Sequence, residues 1–183
     1  MISDTYRYED GLESERLRTR FLALEDVETW KNFYLSEGNA QYLLGLGGKT
    51  PEDNARLAVE RQLKRYVERS YGLQALIERH SGKLIGQCGL LSQDINGRRE
   101  LEIGYQLFND SWGRGYATEA AVLFRNYGFE RLGAESIISI IATGNLPSQK
   151  VALRNGMHRE EEVLYMGIPV YVYRLTREDW RSL

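Results

Sequence analysis

The stretch Ser111-Trp-Gly-Arg-Gly-Tyr-Ala-Thr-Glu119 has the composition of an anion-binding loop that leads into a helix. Gly113 and Gly115 allow the backbone to turn tightly and to approach an anion without a Cβ in the way. Residues 117–128 are helix formers with apolar side chains at helical spacing. The first amides of a helix have no partner within it, and the positive end of the helix dipole favours a negative charge. The loop therefore predicts an anion site, and a pyrophosphate is its natural ligand.

The loop alone does not exclude an ordinary turn, because Gly-x-Gly pairs are also common in turns. It matches neither the Walker A pattern nor the dinucleotide-binding pattern Gly-x-Gly-x-x-Gly. Its meaning depends on the residues that surround it.

Thiol and metal chemistry find little support in the sequence. Cys88 is the single cysteine, which excludes an intrachain disulfide and leaves no zinc-ligand spacing. Its apolar neighbours in a strand-like run favour a small buried side chain over a nucleophile. His80 and His158, the two histidines, flank predicted strands, and no spacing connects either to the cysteine. We expect no metal site.

Length and charge limit the class of protein. The chain has 183 residues, enough for one well-buried core, and 42% hydrophobic with 27% charged residues is typical of a soluble globular protein. A net charge of −2 without a long basic run gives no electrostatic footprint for nucleic acid. Neither a membrane span nor a signal peptide is apparent, so we expect no membrane partner and a cytoplasmic location. Residues 1–14 are polar and are expected to form a flexible segment before a single domain of residues 15–183.

Hydrophobic periodicity predicts a one-domain, mixed α/β protein. Apolar runs with period two predict strands over residues 17–24, 73–78, 83–91, 100–108, 136–142, 162–166 and 170–175. Helical spacing and capping residues predict helices over residues 27–34, 51–69, 117–128 and 145–155. The Gly-rich loop then lies between a strand and a helix, as an anion site at a helix N-terminus requires.

In this context the sequence resembles the GNAT superfamily of acyl-CoA-dependent N-acyltransferases, and within it the Rim-type branch of ribosomal-protein-alanine N-acetyltransferases. The stretches that carry the resemblance, in family order, are Glu15-Arg-Leu-Arg-Thr-Arg-Phe-Leu22, Leu84-Ile-Gly-Gln-Cys-Gly-Leu90, Glu102-Ile-Gly-Tyr-Gln-Leu107, Trp112-Gly-Arg-Gly-Tyr-Ala-Thr-Glu-Ala120, Asn145-Leu-Pro-Ser148, Asn155-Gly-Met157 and Tyr173-Arg-Leu-Thr-Arg-Glu-Asp-Trp180. The resemblance implies the GNAT fold: a mostly antiparallel, mixed sheet of about seven strands with about four helices.

The resemblance also implies acetyl-CoA as the cosubstrate, with no metal. The residues expected at the coenzyme are Tyr105, Gln106 and Leu107 on a splayed strand edge, Trp112, Gly113, Arg114, Gly115, Tyr116, Ala117 and Thr118 in the loop, and Asn145 and Ser148 near the pantetheine. The family pattern Gln/Arg-x-x-Gly-x-Gly/Ala is met at Gly115 and Ala117, whereas Trp112 replaces its first residue. Since backbone amides make most of the phosphate contacts, we expect coenzyme binding to persist.

Two residues are the catalytic candidates for acyl transfer to an amine. Glu102, on the strand before the loop, is the candidate base, and an ordinary strand-face charge is its alternative. Glu119 is a weaker candidate, because a carboxylate in the first turn of a helix is explained by the helix dipole. The tyrosine that many GNAT enzymes use as the acid aligns with Ala152, so Ser148 is the substitute, with capping of the short helix as its alternative role.

The sequence therefore predicts an N-acetyltransferase that transfers acetyl directly to an amine, without a covalent enzyme intermediate. By resemblance a protein N-terminal α-amine is the leading acceptor, and a polyamine, amino acid or aminoglycoside follows. A non-catalytic acyl-CoA sensor is the alternative. The acceptor wall is expected from the first two helices, the loop of residues 38–49 with Tyr42, Leu43 and Leu44, and Tyr165, Tyr171 or Tyr173, which sheet packing could also explain. The branch also suggests a homodimer.

Overall fold

The computed structural model describes residues 7–36, 38–39, 41–42 and 47–183. Within these residues seven strands form one sheet: β1 (Leu17–Arg20), β2 (Tyr71–Glu78), β3 (Leu84–Ile95), β4 (Arg98–Leu107), β5 (Ser136–Ala142), β6 (His158–Tyr165) and β7 (Ile168–Thr176). Five helices accompany them: α1 (Val27–Leu35), α2 (Pro51–Val67), α3 (Tyr116–Glu130), α4 (Leu146–Arg154) and α5 (Arg177–Arg181). The mixed α/β class and the mostly antiparallel sheet are as the sequence predicted.

The sheet contains one parallel pair, and that pair positions the site. The strand order is β1-β2-β3-β4-β5-β7-β6, and every neighbouring pair except β4 and β5 is antiparallel. The register of the parallel pair is a single match, Glu102 with Ile138. Beyond it the two strands separate, so the edge of β4 from Gly104 to Leu107 is not paired with β5.

Both faces of the sheet are covered, which follows from the alternation of side chains along the strands. On β2, Leu76 faces a cluster that includes Phe124 of α3, while Ala75 and Ile77 face a second cluster with Trp30 of α1. Helices α3 and α4 thus pack on one face, and α1 and α2 on the other. Cys88 is fully buried on β3, as expected, and burial raises the pKa of its thiol.

Local signals explain the elements that the sequence predicted well. Thr50 accepts a hydrogen bond from the Asp53 amide and Asp53 accepts one from the Thr50 amide, so a capping box followed by Pro51 begins α2. Asn96 and Gly97 have φ angles of 52° and 74°, which suits the tight turn between β3 and β4.

Several elements differ from the prediction. Strand β3 extends to Ile95 and not to residue 91, β6 begins at His158 and not at residue 162, and two further differences have a local cause. The first strand ends at Arg20, not at residue 24, because the Asp26 carboxylate accepts hydrogen bonds from the Arg20 guanidinium and from the Ala23 amide and so turns the chain. The short helix α5 was not predicted, although Thr176 caps it by accepting a hydrogen bond from the Asp179 amide.

The segment before β1 also differs from the flexible segment expected over residues 1–14. Residues 1–6 lie outside the described residues, but Tyr8 and Leu12 pack against the core cluster of the sheet and α3, while most side chains of residues 7–14 are exposed. The Tyr8 side chain is buried and its hydroxyl donates to the Gly72 carbonyl, while the Tyr127 hydroxyl accepts a hydrogen bond from the Glu9 amide. Part of the segment before residue 15 therefore contacts the domain.

Candidate active site

The Gly-rich loop ends in a set of backbone amides that have no internal partner. Gly113 and Gly115 adopt φ angles of 73° and 81°, in the left-handed region that favours glycine. The amides from Gly113 to Thr118 donate to no carbonyl or side chain in the described part of the chain, and the first helical bond of α3 is donated by Glu119 to Gly115. These amides and the helix dipole together fit a pyrophosphate.

Trp112 fixes the start of this loop. Its indole Nε1 donates to the Leu107 carbonyl at the end of β4 (2.9 Å), and its own amide donates to the Asn109 carbonyl (3.1 Å). Both polar donors of Trp112 are thus used within the chain, and only the half-exposed ring can contact a ligand. The replacement of the family's Gln or Arg by Trp therefore changes the first residue of the loop without removing the amides that follow.

A group of contacts centred on Arg16, which we call the loop anchor, holds the other side of the loop. Arg16 Nη2 lies 2.6 Å from Glu119 Oε2, its Nη1 donates to the Arg114 carbonyl (2.9 Å), and its guanidinium lies 4.6 Å from the centre of the Tyr116 ring. Burial opposes ionisation of Glu119, but hydrogen bonds from Arg16 and Ser14 outweigh it and lower the pKa of the carboxyl. Glu119 therefore acts as the acidic partner of Arg16, which makes it a poor candidate for the base.

One cavity of about 970 Å³ connects the loop, the open edge of β4 and helix α2. The predicted site residues that line it are Glu102, Tyr105, Gln106, Leu107, Trp112, Gly113, Gly115, Tyr116, Ala117, Thr118, Asn145 and Ser148. Arg114 does not line it, since its side chain is exposed and its carbonyl belongs to the loop anchor. The structure thus brings together in one cavity residues that lie up to 46 positions apart in the sequence, counted from Glu102 to Ser148.

Glu102 is a buried carboxyl at the point where β4 and β5 begin to separate. Its side chain is 8% exposed, and its Oε2 accepts a hydrogen bond from Gln93 Nε2 (2.7 Å). Gln93 in turn accepts one from the Tyr165 hydroxyl (3.3 Å), which fixes the orientation of the amide. Burial raises the pKa of Glu102, and the Gln93 hydrogen bond, the Ile140 backbone and the Arg65 charge oppose that rise. A raised pKa makes this carboxylate a stronger base than an ordinary glutamate.

Ser148 and its neighbours form the wall opposite the open strand edge. The Asn145 side chain caps α4 by accepting the Ser148 amide (3.2 Å), so capping is the role of Asn145 and not of the serine side chain. The Tyr105 hydroxyl donates to the Ser148 carbonyl (2.9 Å), and burial raises the pKa of this phenol. The Ser148 side chain also interacts with the Tyr105 phenol, and Ser148 lines the cavity, where its hydroxyl can meet a ligand.

Comparison with known proteins decides the family. Residues 16–158 match the model of the acetyltransferase (GNAT) domain. The chain belongs to the GNAT acetyltransferase family. It is 30% identical to the protein YkkB of Bacillus subtilis (strain 168) over 171 residues, 88% of this chain and 93% of that protein. It is 28% identical to the uncharacterized N-acetyltransferase p20 of Bacillus licheniformis over 181 residues, 93% and 98% of the two chains.

A solved structure shows the same GNAT fold. Mycobacterium smegmatis RimJ in complex with CoA-disulfide superimposes with a TM-score of 0.76 at 16% identity, over 89% of this chain and 83% of that chain. At this identity the likeness concerns the fold.

Ala152, which the resemblance aligns with the tyrosine acid of many GNAT enzymes, is a core residue. Ala152 is 2% exposed and packs in the cluster beneath α3 and the sheet. It does not line the cavity. By that alignment, no tyrosine faces the cavity at this position.

Of the three tyrosines predicted for the acceptor wall, one lines the cavity and two lie outside it. Tyr165 lines the cavity beside Glu102. Tyr171 lies under the Arg159 guanidinium (4.6 Å to the ring centre), and Tyr173 is buried in the core, so sheet packing explains both. Tyr42 lines the cavity and donates to the Gly144 carbonyl (3.1 Å), whereas Leu43 and Leu44 lie outside the described residues.

The sequence predicted that the first two helices contribute to the acceptor wall, but it did not show which residues of α2 do so. One stripe of its residues at helical spacing lines the cavity: Asn54, Leu57, Ala58, Arg61, Gln62 and Arg65. The spacing of four between Leu57, Arg61 and Arg65 was visible in the sequence, but nothing there showed that this stripe faces Glu102.

In the described residues no helix is long and apolar enough to cross a membrane, and no cluster of three or more metal-ligating side chains occurs.

Proposed function

We propose that this protein is an acetyl-CoA-dependent N-acetyltransferase that transfers acetyl directly to an amine. The leading acceptor is an α-amine, that of a protein N-terminus first and that of a small molecule second. One observation carries the proposal: the free amides of the loop, the unpaired edge of β4 and the buried Glu102 all face one cavity.

The geometry suits a long, anionic cosubstrate. The amides from Gly113 to Thr118 would bind the pyrophosphate, and the edge from Tyr105 to Leu107 would pair with the amides of the pantetheine arm. Asn145 and Ser148 lie across the cavity from that edge, beside the expected position of the thioester. The fold neighbour RimJ was solved with CoA-disulfide, which supports coenzyme A as the class of ligand.

Glu102 would act as the general base. The attacking amine must lose a proton as its nitrogen bonds to the thioester carbonyl carbon, and Glu102 would accept that proton directly or through water. An α-amine with a pKa of about 7.7–8.0 is partly neutral near pH 7, so it demands less of the base than a lysine with a pKa of about 10.4. Gln93 would hold the carboxylate in position.

Ser148 would bind and protonate the leaving thiolate of CoA. As the C–S bond breaks, the sulfur gains the electron pair and becomes a thiolate, which the Ser148 hydroxyl can bind and protonate. The alkoxide left on Ser148 takes a proton from solvent, and the proton held by Glu102 returns to solvent. Both residues are thereby regenerated, and the net result is transfer of the amine proton to the sulfur. Tyr105 would hold α4 in position through its hydrogen bond to the Ser148 carbonyl.

An assay of acetyl-CoA with a panel of amines tests the proposal. The panel contains peptides with free N-termini, amino acids, a polyamine and an aminoglycoside, and the products are the free CoA thiol and the N-acetylated amine, identified by mass spectrometry. Both products should form in equal amounts with at least one acceptor. Binding of acetyl-CoA without turnover of any acceptor would favour the sensor, which the buried Ala152 at the acid position makes the relevant alternative.

A further inference from the structure

The acceptor end of the cavity is cationic on one wall and acidic on the other. Glu102 is the one acidic side chain among the lining residues that the structure describes, whereas Arg61, Arg65, Lys150 and Arg154 are cationic. Lys150 and Arg154 lie on α4, the helix that also carries Ser148, which is expected at the coenzyme. Arg61 and Arg65 lie on α2, a different element from the loop whose free amides would bind the coenzyme pyrophosphate.

Arg65 is the better placed of the two α2 arginines to meet an acceptor. It is half-buried, and no carboxylate lies within 4 Å of its guanidinium among residues 7–36, 38–39, 41–42 and 47–183. Its charge acts on Glu102 and on Tyr165, so it is directed to the same part of the cavity as the proposed base. A planar guanidinium with several free N–H donors matches a carboxylate in shape and charge.

We propose that the acceptor is an amine that also carries a carboxylate, which binds to Arg65 with Arg61 beside it while the amino group faces Glu102. This inference rests on the proposed acetyltransferase function and narrows its acceptor. A zwitterion of this kind places each of its charges against the opposite charge of the cavity. A polyamine or an aminoglycoside would bring several positive charges close to the two arginines, so we expect both to be poor acceptors.

Two classes of acceptor contain both an amine and a carboxylate. In a free amino acid the carboxylate is the α-carboxylate, and in a peptide whose first residue is Asp or Glu it is the side chain. The two are separated by matched pairs in which one carboxylate is replaced by its amide: alanine with alaninamide, and the peptide amides Asp-Ala-NH2 with Asn-Ala-NH2. Spermidine serves as the polycation.

The experiment measures kcat/KM for these acceptors with the wild-type protein and with Arg65→Gln, Arg65→Lys and Arg56→Gln. Arg56 lies on the exposed side of the same helix and does not line the cavity, so Arg56→Gln controls for the loss of one helix charge. In the wild type the carboxylate member of at least one pair should exceed its amide by about 10- to 100-fold. Arg65→Gln should remove that ratio, and Arg65→Lys should restore part of it.

The ratio of kcat/KM between a carboxylate acceptor and its amide distinguishes binding of the carboxylate by Arg65 from a general effect of Arg65 on Glu102. If Arg65 only offsets the charge of Glu102, Arg65→Gln changes the pH profile for every acceptor alike and leaves the ratio unchanged, which overturns the inference. Equal rates for carboxylates and amides in the wild type also overturn it while leaving the acetyltransferase intact. Turnover of no acceptor, with acetyl-CoA still bound, removes the proposed function itself.

Discussion

At the scale of single residues, Glu102 connects the fold to the proposed chemistry. The carboxyl is buried where β4 and β5 separate, and burial raises its pKa. A base with a raised pKa is protonated over a wider acidic range, so the rate should rise with pH through a value above the ordinary range of a glutamate.

We predict that Glu102→Gln lowers kcat/KM for an α-amine by about 100-fold and removes the limb that rises with pH in this range. This decrease in kcat/KM is at the lower end of the range expected when a general base is removed, because an α-amine is already partly neutral near pH 8. A pH–rate profile of both proteins measures this. Glu130→Gln, an exposed change at the end of α3, is the matched control, and an unchanged profile in Glu102→Gln would remove Glu102 from the mechanism.

Thermal unfolding gives an independent measurement of the same pKa. A carboxyl with a raised pKa in the folded state favours folding while it is protonated, and that contribution is lost as the pH rises through the folded pKa. Glu102→Gln should therefore melt at a higher temperature than the wild type at pH 8 and at a similar temperature at pH 4. A variant less stable than the wild type at pH 8 would contradict the direction of the shift.

At the scale of elements, sequence signals predicted what was local. The capping box at Thr50 and the turn at Asn96-Gly97 set the start of α2 and the β3–β4 hairpin through residues within three positions of each other. The loop before α3 was recognised for the same reason. The end of β1 at Arg20 was missed because it depends on the Asp26 carboxylate, and apolar periodicity carries no information about such a contact.

Part of the site could be predicted and part could not. The Gly113 loop was named as a candidate from its own sequence pattern and Glu102 from the resemblance to the GNAT family, and both line the cavity. Arg65 was missed because α2 reaches Glu102 only in the folded sheet, across 37 positions of the chain. Its helix stripe was visible in the sequence, but the face that it meets is a property of the packing.

The loop anchor makes a prediction at this scale. Glu119→Gln removes the charge that Arg16 contacts, so the loop should loosen, the KM for acetyl-CoA should rise several-fold, and kcat should change less. The stability cost should be about 1–2 kcal/mol, limited because the Arg16 side chain is 41% exposed. Steady-state kinetics and urea unfolding measure both quantities.

A surface ion pair provides the control for that variant. Glu135 is 78% exposed and pairs with Arg177 at 3.8 Å. Glu135→Gln should therefore change neither the KM for acetyl-CoA nor the stability to urea. If Glu119→Gln leaves the KM for acetyl-CoA at the wild-type value, the loop anchor does not position the loop.

At the scale of the whole molecule, an ion-pair network closes the end of the sheet opposite the cavity. Arg174 on β7 donates to Glu100 on β4 (2.8 Å), to Glu160 on β6 (2.8 Å) and to Ser136 on β5 (2.8 Å). The network therefore joins four strands at the closed end, and the separation of β4 and β5 is confined to the end that faces the loop.

We predict that Arg174→Met destabilises the fold by about 3–5 kcal/mol, because Glu100, with an 11% exposed side chain, would lose its charge partner. The melting temperature should fall by roughly 10 °C. Adding Glu100→Gln should recover part of this loss, and acetyl-CoA affinity below the melting temperature should stay close to that of the wild type. A loss of affinity without a loss of stability would show that the network acts on the cavity instead.

The most direct test of the account is a calorimetric titration of acetyl-CoA into the wild type, Gly115→Trp and Gly133→Trp. Both glycines have left-handed φ angles, 81° and 70°, so both variants carry similar backbone strain, but Gly115 alone lines the cavity. Dephospho-CoA and ATP serve as comparison ligands. We predict a Kd on the order of micromolar for the wild type and for Gly133→Trp, and a large loss for Gly115→Trp. Absence of acetyl-CoA binding in the wild type, or equal binding by the two variants, would contradict the account.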